Sequence, residues 1–163
     1  QKQISKHNTR RKDTRMVKGV RAEKIVGNAG ENLTVFKLSM LGYAASTVKQ
    51  DGVDIAVVGG KDLMVAQRVE VKTILKDEGD GRFSFLICKG SDRRCYTRSD
   101  CDIIALASLS EEKVLFFPVE SFTTTKSITL TKNDFHKPSS KNNWAEVLDY
   151  SQKMMGELLY KKK

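Results

Sequence analysis

The chain is poor in the residues that make covalent cross-links and soft metal sites. It has three cysteines, Cys88, Cys95 and Cys101, and two histidines, His7 and His136. The cysteine spacing forms neither paired CxxC motifs nor an even-numbered disulfide framework, and the histidines are too far apart for ligand spacing. A zinc site and a disulfide scaffold are therefore not expected. Cys88 and Cys101 lie beside apolar residues and are expected as buried free thiols. No apolar run approaches the roughly 18 residues a membrane span needs, and no signal-peptide pattern opens the chain. The expectation is a soluble, intracellular protein with no membrane partner. Internal repeats are absent, and the one low-complexity stretch is Thr123-Thr124-Thr125.

What is present is a chain of 163 residues, 39% hydrophobic and 30% charged, enough for one domain with a sizeable core. Its net charge of +9 is uneven. Residues 1 to 24 hold nine basic residues against two acidic ones, a net of +7, so the other 139 carry only +2. The division expected is a basic, flexible arm over residues 1–24, including Arg10, Arg11, Lys12 and Arg15, followed by a folded domain over 25–163. A nearly neutral body with a basic arm is an electrostatic footprint for polyanions, nucleic acid above all. A solubilising tail is the plainer alternative.

Periodicity then places the elements. Asn28 as cap with Glu31 three residues on predicts a helix start, and Leu33, Phe36, Met40 and Leu41 recur at helical spacing until Gly42 stops them. The helix is expected over Ala29–Leu41. The period then falls to two. Tyr43–Val48, Asp54–Val58, Val65–Thr73, Phe83–Ile87, Cys101–Leu109 and Val114–Val119 read as strands, with Ser127–Leu130 a short one. Phe83–Ile87 is expected to pair back on Val65–Thr73. Trp144–Tyr160 returns to helical spacing. Helix, run of strands and late helix argue an α/β (α+β) domain around a mixed sheet.

One constellation carries chemistry. Side chains alternate along a strand, so Arg68, Glu70 and Lys72 share one face while Val69 and Val71 take the other. A hairpin with the preceding strand brings Asp54 to Glu70 and Lys72. Two carboxylates and a lysine suit metal-assisted phosphodiester hydrolysis. Hard oxygens hold Mg²⁺ or Mn²⁺, the ion activates water and polarises phosphate, and the lysine stabilises developing charge. The spacing D-x15-E-x-K is equally compatible with a charged, solvent-facing hairpin. Gln67, Arg68 and Thr73 flank the site as candidate phosphate contacts. Arg93, Arg94 and Arg98 precede Cys101 in a charged loop suited to tracking DNA phosphates.

The segments Asn28-Ala29-Gly30-Glu31 to Gly42-Tyr43, Asp51-Gly52-Val53-Asp54-Ile55 and Val69-Glu70-Val71-Lys72-Thr73 together resemble the PD-(D/E)xK nuclease superfamily. The pattern is similar to archaeal Holliday-junction resolvases and to intron-encoded homing endonucleases on that core. Asp102-Ile103-Ile104-Ala105-Leu106, Phe116-Phe117-Pro118-Val119-Glu120 and Lys141-Asn142-Asn143-Trp144-Ala145-Glu146 resemble segments that follow the core in the homing group. The resemblance covers roughly residues 28–150. It implies a restriction-endonuclease-like αβββαβ core, Mg²⁺ dependence with Mn²⁺ as substitute, and DNA as substrate. It also implies that Asp54 and Glu70 are metal ligands, Lys72 is the motif lysine, and Glu31 is the acidic residue given by the first helix. Val53 stands where the family has proline, a change in turn shape without chemical consequence.

The resulting expectation is a DNA endonuclease acting at a preferred duplex site, in a DNA-containing compartment. A junction resolvase uses the same core and is the alternative enzyme. A non-catalytic nucleic-acid-binding module is the alternative of another class, and the intact Asp54, Glu70 and Lys72 argue against it. Cutting both strands needs two sites, so a homodimer or higher symmetric oligomer is expected.

Overall fold

The computed structural model describes residues 20–140 and 143–161. The first helix, α1, runs Val20–Met40, longer at its start than its sequence signals. Asn28 is therefore mid-helix and no cap, and residues 20–24 of the expected arm are part of α1. Two glycines inside a helix, Gly27 and Gly30, each cost about 0.5–1 kcal/mol relative to alanine. Packing overrides that cost at Gly30, where a Cβ would fall 1.8 Å from Thr73 Oγ1. The bare backbone lets the helix lie directly on the sheet. Gly42, at φ +88°, turns the chain out of the helix as its position predicts.

Among the described residues seven strands follow: β1 Ala44–Gln50, β2 Val53–Gly59, β3 Gln67–Ile74, β4 Arg82–Leu86, β5 Ile103–Ser108, β6 Lys113–Pro118 and β7 Ser127–Thr131. Five form a mixed sheet in the order β1-β2-β3-β5-β6. Its one parallel pair is β3 with β5, Val69 opposite Ile103 and Ile74 opposite Ser108. The β2–β3 hairpin pairs Ile55 with Val69, and β5–β6 pairs Ile104 with Phe117. Strand β4 does not pair back on β3. It joins β7 in a separate two-stranded sheet, Phe83 opposite Leu130. A short helix, α2 Lys132–His136, is missing from the sequence expectation although Thr131 and Asp134 form a capping box. Helix α3 spans Trp144–Tyr160, as its spacing predicts.

Strand alternation divides the interior into two cores. Val69, Val71, Ile55 and Val57 face Leu38 of α1 and Trp144, Val147 and Leu148 of α3. Ile104, Leu106 and Leu115 face Phe83, Phe85, Leu130 and Phe135 of the small sheet and α2. The architecture is a mixed sheet with two helices on one side and a β-ribbon on the other. Where an αβββαβ core has a second helix between its parallel strands, the described chain runs through β4 and loops, and α3 covers the sheet instead. Among the described residues no helix is long and apolar enough to cross a membrane. The three thiols are free. Cys101 is buried as expected, whereas Cys88 is only half-buried, because it lies beyond the end of β4.

Candidate active site

Asp54 lies one step past the Ile55–Val69 pair, which brings it to Glu70 on the neighbouring strand. Its Oδ2 accepts the Val71 backbone N–H at 2.8 Å. Glu70 is 8% exposed, and its Oε1 accepts from Lys72 Nζ at 2.8 Å. The hairpin and the i, i+2 alternation thus gather all three residues at one place. Glu31 follows Gly30 on α1, and its charge interacts with those of Asp54 and Glu70. Being mid-helix, it has no capping-box role.

Electrostatics bind the four groups together. Burial, then the neighbouring Glu70 carboxylate, raises Asp54 to about 6; Glu31 adds to the rise, while the Val71 N–H and Lys72 oppose it. Burial and Glu70 raise Glu31 as well. The Glu70 charge thus acts on both Asp54 and Glu31, and Lys72 is the cation that offsets Asp54. Negative charge is in excess there.

Sequence spacing missed Tyr96. This side chain enters from the β4–β5 loop and is 2% exposed. Its hydroxyl donates to Glu70 Oε1 at 2.6 Å and accepts from Lys72 Nζ at 2.9 Å. Burial and the Glu70 hydrogen bond push the phenol far up, so it remains a donor. A lone tyrosine in a loop gives no periodic signal.

The flanking candidates fare differently. Arg68 donates Nε to Asp102 Oδ2 at 3.1 Å, Nη2 to Asp102 Oδ1 at 3.0 Å, and further bonds to the carbonyls of Arg98 and Ser99. Arg98 clasps Glu120 through Nε and Nη2 and donates to Ser151 Oγ at 3.1 Å. Arg94 forms a fork with Asp100 at 2.8 and 2.7 Å. These guanidinium groups are engaged by protein partners, although the Arg68 and Arg94 side chains stay 40% and 44% exposed and only Arg98, at 13%, is largely covered. Arg93 is exposed at the loop tip, at φ 51°. Gln67 is fully buried and bonds Ser151, and Thr73 Oγ1 is buried under α1, so neither reaches a phosphate. Arg10, Arg11, Lys12 and Arg15 lie outside the described residues.

The donor set fits a hard divalent cation. Among the described residues no group of three or more histidine, cysteine, aspartate or glutamate side chains is placed to hold a metal ion. Mg²⁺ does not need three, since it keeps several waters and takes one or two carboxylates plus substrate phosphate. Asp54 uses one oxygen for Val71 and Glu70 uses one for Tyr96 and Lys72, leaving an oxygen of each for a cation.

No family model matches the chain, and no curated protein matches it. Among solved structures it is similar to a bacterial homing endonuclease, I-Ssp6803I, at 16% identity and a TM-score of 0.61, over 82% of this chain and 96% of that one. At that identity the likeness is one of fold: the mixed sheet with its flanking helices is an endonuclease-like architecture.

Proposed function

We propose that the protein is a divalent-metal-dependent DNA endonuclease of the PD-(D/E)xK type, cutting duplex DNA at a preferred site. The observation that carries this reading is the gathering of Asp54, Glu70 and Lys72, with Glu31 beside them, into an under-neutralised cluster on an endonuclease-like fold. The name of the similar structure supports DNA as the substrate and a homing-type enzyme over a junction resolvase.

Asp54 and Glu70 would hold Mg²⁺, or Mn²⁺ in its place. Such an ion supplies Lewis-acid polarisation of the phosphate and a lowered pKa for bound water. Lys72 has three N–H donors, two of them engaged by Glu70 and Tyr96, which leaves one to orient water or meet developing charge. Burial of Asp54 and Glu70 strengthens these interactions by excluding bulk water. Glu31 adds negative charge that favours a cation over a proton at Asp54. Residues 1–17 and the exposed Arg93 would meet phosphate, and a symmetric homodimer or higher oligomer would supply a second site for the other strand.

The test is a competition between random linear duplexes and four-way junctions of unrelated sequence, each with Mg²⁺ and with EDTA. The reading expects a narrow family of linear sites to be cut in Mg²⁺ only, because each mismatched base pair costs about 1–3 kcal/mol. Cutting of every junction without an enriched linear sequence would make the enzyme a resolvase. Removal of residues 1–17 should weaken binding and flatten its salt dependence by about 0.9 log units per lost phosphate contact, with cleavage of saturating DNA retained. An unchanged salt slope would make the arm a solubilising tail.

A further inference from the structure

Three short bonds tie Tyr96, Glu70 and Lys72 into a closed ring. Tyr96 donates to Glu70 Oε1, Lys72 donates to the same oxygen, and Lys72 also donates to the Tyr96 hydroxyl, at 2.6, 2.8 and 2.9 Å. The ammonium stands 5.0 Å from the centre of the tyrosine ring. Glu70 Oε1 thus has both lone-pair directions engaged, and Oε2 is the oxygen left over.

The loop that delivers Tyr96 is pinned on both sides. Asp100 receives the Arg94 fork, Lys89 Nζ at 3.1 Å, and the Thr97 backbone N–H and hydroxyl at 3.0 and 3.1 Å. Arg94 and Thr97 bracket Tyr96 in sequence, so its ring enters the site from a backbone held by one buried carboxylate. A tyrosine wanted only for packing has no need of a hydroxyl aimed at a buried glutamate.

We propose that Tyr96 is a positioning residue of the cleavage site, its hydroxyl fixing the Glu70 carboxylate that would hold the cation, and holding the Lys72 ammonium beside it. This rests on the reading of Asp54, Glu70 and Lys72 as a metal-dependent site. Groups that orient metal ligands typically matter by 10–100-fold in metal affinity or activity.

The experiment measures Mn²⁺ affinity of the full chain without DNA, single-turnover cleavage in Mg²⁺, DNA affinity in EDTA, and thermal unfolding. Tyr96→Phe keeps the ring and removes only the hydroxyl. Its Mn²⁺ affinity should fall about tenfold and its cleavage rate 10–100-fold, with DNA affinity unchanged. Glu70→Gln serves as the reference for a lost ligand. Wild-type Mn²⁺ affinity and rate in Tyr96→Phe, alongside losses in Glu70→Gln, would overturn the role of Tyr96 and leave the site standing. Equal Mn²⁺ binding by wild type and Glu70→Gln would overturn the site itself and this role with it. A double-mutant cycle with Lys72→Met separates positioning from folding. The Tyr96→Phe loss of Mn²⁺ affinity should shrink in the Lys72→Met background; an identical loss in both backgrounds would contradict a hydroxyl acting through the ring.

Discussion

Two buried charged clusters sit two residues apart on β3, and they are built on opposite principles. Around Arg68, each carboxylate has its guanidinium: Asp102, 1% exposed, is paired by Arg68 and lies 3.5 Å from Arg98, which in turn holds Glu120. Around Glu70, the carboxylates share one cation: Glu70 and Glu31 raise Asp54, Glu70 raises Glu31, and Lys72 only partly opposes the rise at Asp54. The balanced cluster ties β3, the β4–β5 loop, the turn after β6 and α3 together. The unbalanced one leaves Asp54 and Glu31 raised above the ordinary carboxylate range. Perturbed carboxylates of this kind gather where chemistry is done.

That contrast makes paired substitutions diagnostic. The largest effect belongs to Asp54→Ala and Glu70→Ala, which should cut Mg²⁺-dependent cleavage by at least about 10³-fold, since Lewis-acid stabilisation is worth several kcal/mol. Both should stay folded and bind DNA in EDTA; wild-type cleavage by either would remove the distinction between the clusters. Arg68→Met is the counterpart in the balanced cluster. It removes two charge-assisted hydrogen bonds from the buried Asp102 carboxylate, which keeps Arg98 at 3.5 Å and the residue-68 backbone N–H, a loss of about 3–5 kcal/mol. Its thermal midpoint should fall by roughly 6–12 °C or more, while Mn²⁺ affinity measured below the transition stays at the wild-type value. A stable Arg68→Met that has lost Mn²⁺ affinity would reverse the assignments.

The smallest effect is a pH dependence in EDTA. Asp54 is raised to about 6 from an ordinary 3.8, so the folded state binds its proton more tightly than the unfolded chain. Its contribution to stability is fully present below about pH 4 and is lost as pH rises through about 6. After discounting for partial exposure, the loss is on the order of 1 kcal/mol. Asp54→Asn should flatten the decline in thermal midpoint between pH 4 and 7, and unchanged slopes in the two proteins would show that the charge excess is relieved elsewhere.

The two clusters also differ in how far the sequence reveals them. Asp54, Glu70 and Lys72 were legible because strand alternation and a hairpin are local rules, and two strands suffice to gather them. The same alternation put Arg68 on the site's face, yet its partners Asp102 and the Arg98 carbonyl come from 30 to 34 residues away. Nothing local announces that a guanidinium will be engaged by protein partners. Tyr96 was hidden for the same reason, as was the pairing of β4 with β7, which joins Ser84 to Thr129 across 45 residues. The start of α1 was misplaced because Asn28, Gly27 and Gly30 carry end-of-helix chemistry. The helix runs through them all the same, with Gly30 lying against Thr73.

The central claim is that the under-neutralised cluster takes up a divalent cation. Diffraction from crystals of the full chain soaked in Mn²⁺, recorded for anomalous signal, tests it most directly. The account predicts a peak at about the 2.0–2.1 Å coordination distance of a small hard cation from oxygens of both Asp54 and Glu70, lost in Glu70→Gln crystals grown alike. A peak at another site, or one at Asp54 and Glu70 that persists in Glu70→Gln, would contradict it.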